Sequence, residues 1–307
     1  MARESRPLES EADWWAVREL LIETVGSTPP GWNWDIRRWD GWRFHRERPL
    51  SPAELGRLVR LWFDDHGRLV AAVHPEAHGD AFLEVDPSSR ALEATLVPWA
   101  EEHLAAIDPV GDRTLELSVQ DDDQARHAVV RSRGYVQARD GAWLRSIDLS
   151  TARIADAPPP HGYAVRPTRR DDGDAARMAR LLNRGFGRTT HSPAEYRAFM
   201  DGSPSFRDDL NLVAVAADGS FAAHAGYTLD THNRLAILEP VVSDPDHRRL
   251  GLARCLILEG LARVRALGAA RADLETGEGE AANALYAECG FTTARHVSTW
   301  RRRLPGA

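Results

Sequence analysis

Cysteine is scarce in this sequence of 307 residues: there are two, Cys255 and Cys289, far apart and without metal-ligand or disulfide-framework spacing. Both fall in expected helices and read as small buried hydrophobes of a reducing compartment. No stretch approaches the ~18 uncharged apolar residues of a membrane span. The N-terminal residues lead into charge rather than into an apolar targeting segment, so the expectation is a cytoplasmic chain with no membrane partner. A basic excess is also lacking. The formal net charge of −7 disfavours a nucleic-acid partner, whose phosphates need a basic face. What is present is 43% hydrophobic and 28% charged residues, over a length that suits two domains, each with its own core.

One order of elements occurs twice. Strand-like residues 67–73 and 80–87 precede an amphipathic helix through Val97, Trp99, Ala100 and Leu104, then a strand at 114–119 and a helix ending at Gly134-Tyr135. After Pro158-Pro159-Pro160, whose extended backbone marks a linker, the order returns. Strands at 212–215, 221–227 and 235–242 lead to a helix over about 250–267, a strand at 272–275 and a helix ending at Gly290-Phe291. The two Gly-aromatic ends lie about 156 residues apart, a spacing of duplicated domains. The expected fold is therefore α/β, with domains 1–156 and 162–307, each a mixed, mostly antiparallel sheet flanked by helices.

The second copy carries the chemistry. Val241 and Val242 end a β-branched strand that turns through Arg248-x-x-Gly251-x-Ala253 into a helix. Small residues there let backbone N–H groups approach a ligand, and a helix N-terminus favours an anion such as a pyrophosphate. Downstream stands Asn283-x-x-Tyr286-x-x-x-Gly290-Phe291. Loop and helix together resemble the GNAT superfamily of N-acetyltransferases, with Ala253 where a second glycine is commoner. The resemblance implies acetyl-CoA as co-substrate and no metal, with contacts from Val241, Val242, Arg248, Arg249, Leu250, Gly251, Leu252, Ala253, Arg254 and Asn283. It makes Tyr286 the general acid to the departing thiolate and Glu239 the general base. Transfer would be direct, to a primary amine of a small molecule or peptide, by a monomer or homodimer. From the residues alone Tyr286 also suits a packed aromatic, Asn283 a helix cap and Glu239 a solvated strand end. A competing class is a catalytically weak acyl-CoA-binding regulatory or interaction protein.

The first copy resembles a degenerate GNAT domain. Aligning Asp86-Pro87 with Asp244-Pro245 sets Arg90 against Arg248, Glu93 against Gly251, Thr95 against Ala253 and Val130 against Tyr286. A glutamate where the pyrophosphate would sit repels it. This copy holds nine of the ten tryptophans, with Trp32, Trp34, Trp39 and Trp42 crowded together. That segment reads either as an acceptor wall, with Asp35 and Asp40 suiting a cation, or as packing against the partner domain. His74 and His78 read as loop residues, Asp121-Asp122-Asp123 as a helix start, and Arg301-Arg302-Arg303 as a solvated strand edge.

Overall fold

The computed structural model describes residues 4–305. In the first half, β1 (Glu4–Pro7), α1 (Glu11–Val25), α2 (Ile36–Phe44) and the short α3 (Pro52–Leu55) precede β2 (Arg60–Phe63), β3 (Leu69–His74) and β4 (Asp80–Val85). Then come α4 (Glu93–His103), β5 (Ala106–Ile107), β6 (Arg113–Gln120), α5 (Gln124–Ser132) and β7 (Val136–Asp148). Residues 149–162 contain neither strand nor helix. The second half runs β8 (Tyr163–Pro167), α6 (Asp172–Phe186), α7 (Pro193–Gly202), β9 (Asn211–Ala216), β10 (Phe221–Asp230) and β11 (Leu235–Ser243). It ends with α8 (Leu252–Ala266), β12 (Arg271–Gly277), α9 (Glu280–Glu288) and β13 (Thr292–Arg303).

All strands join one mixed sheet in the order β1-β2-β3-β4-β6-β13-β7-β12-β11-β10-β9-β8, with β5 beside β6. Only β4 with β6 and β11 with β12 run parallel among the described pairs; the rest are antiparallel. The two halves exchange their last strands. β7 leaves the first half to pair with β12, whereas β13 returns from the second half to pair with β6, and the two exchanged strands pair with each other. The cores follow the exchange: Ile147 and Leu149 pack in the second half's core, and Trp300 and Leu304 in the first half's.

This placement corrects the expectation for the terminal arginines. β13 is an interior strand, and Arg301, Arg302 and Arg303 meet Glu116, Glu101 and Asp112 respectively. Carboxylates on neighbouring elements of the first half, not solvent alone, balance the run. His74 is corrected too: it ends β3, fully buried, with Nε2 3.0 Å from Glu84 Oε1. Asp123 does start a helix, its side chain accepting from Arg126 N at the head of α5.

The tryptophans are mostly interior. Trp14, Trp34, Trp39 and Trp42 form a core between α1, α2 and the sheet that also takes in Leu235 and Ile237 of β11. Packing between halves is therefore the main work of this segment. Asp40 is wholly buried, bonded by Arg18 Nε at 3.1 Å and by the Ser205 hydroxyl, and lines neither of the cavities that Glu239 lines.

Candidate active site

β11 and β12 pair at only three positions, Leu235 with Arg271 through Ile237 with Asp273. Beyond them β12 continues along β7, while β11 continues along β10, where His224 and Ala225 face Val242 and Val241. The strands thus part, and one backbone edge of Val241 and Val242 is left without a strand partner, able to accept an extended ligand arm as a further strand. α6 lies close against this strand end. A Cβ on Gly185 would fall 2.1 Å from Val242 Cγ2, so glycine sets the approach.

The turn that follows is braced by Arg184, whose guanidinium bonds Asp244 at 2.6 and 3.0 Å and Asp246 at 2.6 Å. Arg249 and Gly251 adopt left-handed backbone, φ 65° and 77°, turning the chain into α8. No side chain caps α8. Its first N–H groups, at Leu252, Ala253 and Arg254, have no acceptor within the helix, and with the helix dipole they form an anion cradle. Arg249, Leu250 and Gly251 are exposed at its mouth. Arg248 is exposed but engaged: Nη2 donates to Gly185 O at 2.9 Å, which ties the loop to α6. Asn283 is likewise committed. Its Nδ2 donates to Gly277 O and Gly279 O, both at 2.9 Å, and its Oδ1 accepts from Arg145 Nε, so it fastens α9 to the end of β12.

Glu239, Val241 and Tyr286 line one cavity of about 620 Å³, walled on its far side by Arg37, Arg38, Trp42 and His45 of the first half. Tyr286 is 9% exposed, and burial, with smaller contributions from Cys289 and Glu239, pushes its phenol up to about 12. It therefore keeps its proton at neutral pH and can donate it. Glu239 also opens onto a second, inner cavity of about 280 Å³, lined by Asp35, Asp273 and Glu275. Burial, then the nearby Glu239 charge, raises Asp35 to about 7. Arg38 stands between the cavities, bonded to Glu76 at 2.9 Å and 3.4 Å from Glu275. Both thiols are buried, and burial pushes Cys289 up to about 11, so neither is an activated nucleophile.

The corresponding region of the first half is filled by its own chain. β4 and β6 pair at two positions and then part. Into the gap goes the segment 30–34: Asn33 exchanges two 3.0 Å hydrogen bonds with the backbone of Val85, and Gln120 Nε2 donates to Pro30 O at 2.6 Å. Trp32 sits among Val85, Leu117 and Val119 in the core. At the head of α4, Glu93 is 1% exposed and accepts from Arg126 at 2.9 Å. A side-chain carboxylate and a side-chain amide thus stand where the second half presents open N–H groups and an open strand edge.

Sequence reasoning overlooked Arg37, Arg38, His45 and His191. Tryptophan density marked the segment holding Arg37 and Arg38 but not which side chains turn inward, and His45 lies just beyond it. His191 lies in a loop without a motif; its Nδ1 and that of His45 both donate to Glu195 Oε1, linking α7 to the end of α2.

Residues 175–291 match the model of the acetyltransferase (GNAT) family. Among solved structures, the chain is similar to a tandem GNAT protein from the clavulanic acid biosynthesis pathway, at 20% identity and TM-score 0.69 over 99% of each chain. It is also similar to a GCN5-related N-acetyltransferase from Sphaerobacter thermophilus, at 18% identity and TM-score 0.66 over 99% of this chain and 96% of that one. A GNAT-family acetyltransferase from Colwellia psychrerythraea matches at 14% identity and TM-score 0.61, over 97% and 100%. At these identities the likeness is one of fold. No curated protein matches the sequence.

Proposed function

We propose, from the premise that this chain is a tandem GNAT protein whose family domain spans residues 175–291, that it moves an acetyl group from acetyl-CoA to a primary amine through its second half alone. The observation that carries this reading is the pair of parted strands, β11 and β12, beside the uncapped N-terminus of α8. The pantetheine arm would bond the free edge of Val241 and Val242, and the pyrophosphate would take the N–H groups at Leu252, Ala253 and Arg254, with Arg249, Leu250 and Gly251 at its rim. Arg248 and Asn283 hold the walls of this channel, as their bonds to Gly185 and Gly277 suggest.

In the reaction, Glu239 takes a proton from the acceptor ammonium, directly or through water. The free amine attacks the thioester carbonyl, a C–N bond forms, and the C–S bond breaks. Tyr286 protonates the departing thiolate, and the second proton, which the attacking nitrogen sheds on becoming an amide, restores the phenol. No side chain is acylated. The test is thiol release from acetyl-CoA with a panel of amines, read for wild type, Glu239→Gln and Tyr286→Phe. Amine-dependent release through a ternary complex, slowed in both variants, is expected. Release that ignores the amine, or a ping-pong pattern, would contradict direct transfer.

A further inference from the structure

Arg37 differs from the other buried arginines. Arg18 has Asp40, Arg126 has Glu93 and Arg43 has Glu11. Arg37 is 7% exposed, yet among the described residues its guanidinium has no hydrogen-bond acceptor and no ion-pair partner. It lies over the Phe199 ring at 4.5 Å, and Gly41 makes room for it, since a Cβ there would come within 2.4 Å of Nη1. The nearby carboxylates feel its charge but bond elsewhere: Asp40 to Arg18 and Ser205, Asp35 to the head of α2. None of the Arg37 nitrogens is among the fully dry, unpartnered polar atoms, and the cavity that it lines is where an anionic partner can reach it.

The geometry points to an anion subsite at Arg37, which holds a carboxylate of the acceptor while Glu239, on the same cavity, faces the acceptor's amine. The inference rests on the acetyl-transfer reading above and names its substrate class: amines that also bear an acid, such as amino acids or peptides with a free C-terminus. Charge is distributed accordingly. Arg38, Glu76, Glu239 and Glu275 line both cavities; the outer one adds Arg37, His45, Arg46, Arg188 and His191 with no further carboxylate, whereas the inner one adds Asp35 and Asp273 against Arg145 and Arg271. A zwitterion fits that polarity in one orientation. The planar guanidinium fork suits a carboxylate. The cofactor's phosphates have a separate cradle, for residues 248–254 are not among the residues lining this cavity. The degenerate half then supplies acceptor choice.

The test uses the full chain with α-amino acids, ω-amino acids and dipeptides, each paired with its carboxamide. The amide's amine is less basic and more often free, so chemistry without recognition favours the amide. Wild type is expected to favour the acid by at least about tenfold in kcat/KM. Arg37→Met should bring the ratio near one and leave acetyl-CoA affinity unchanged. Four results would overturn the inference: the amides used as well as the acids; no member acetylated although acetyl-CoA binds; selectivity kept in Arg37→Met; or acetyl-CoA affinity lost there, which would give Arg37 to a cofactor phosphate. Failure of acetyl-CoA to bind at all would instead remove the reading on which the inference rests.

Discussion

In the proposed reaction, Tyr286 and Glu239 would divide two proton transfers between a buried phenol and a more open carboxylate. The account predicts that Tyr286→Phe lowers kcat by about a hundredfold or more while acetyl-CoA affinity holds, measured by steady-state kinetics and calorimetry. An unchanged kcat would make Tyr286 a packing residue. The Asp35 carboxyl offers an independent check. Burial and then Glu239 hold it at about 7 against an ordinary 3.8. Glu239→Gln removes the like charge and leaves the burial, so Asp35 should titrate below 7 but above 3.8, readable by carboxyl NMR. At this scale the motif residues were legible because their neighbours in sequence position them: a strand, a turn and a helix start are local. Arg37 was not legible. Its meaning depends on having no partner, and absence of a partner is a property of the packed molecule.

Among the elements, α2 and α7 are joined through Glu195. Burial opposes its ionisation, but hydrogen bonds from His191 and His45 outweigh burial and hold it at about 2, against an ordinary 4.5. Because the folded value lies below the unfolded one, this contribution to stability is present above pH 4.5 and lost as pH falls towards 2. Denaturant midpoints across that window should drop less steeply for Glu195→Gln than for wild type. An equal slope would mean that other carboxylates govern the acid limb. The strand end at Val241 and Val242, leading through a turn into a helix, was legible in the sequence, but the position of β13 was not. Its arginines look like an edge because their partners, Glu116, Glu101 and Asp112, are distant in sequence. Pairing of that range is invisible to local pattern.

For the whole molecule, exchange of β7 and β13 means that each half completes the other's core. Trp300, 4% exposed, belongs to the first half's core although it lies near the C-terminus. Trp300→Ala should therefore cost about 3–5 kcal/mol and lower the unfolding midpoint of both halves together. Loss confined to one half would contradict the shared sheet. The 39 basic side chains other than histidine are all arginine, so the chain has no lysine amine of its own to acetylate, and thiol release reports an added acceptor or hydrolysis.

The central claim is one working cofactor site, in the second half, with the first half closed by segment 30–34 and Glu93. Calorimetric titration with acetyl-CoA tests it most directly. The account predicts one site per chain, abolished by Gly251→Glu, which sets a charged side chain in left-handed backbone at the anion cradle. Glu93→Gly should leave the count at one, because Asn33 and Trp32 still fill the gap between β4 and β6. Two sites in either protein, no binding to wild type, or binding untouched by Gly251→Glu would contradict it.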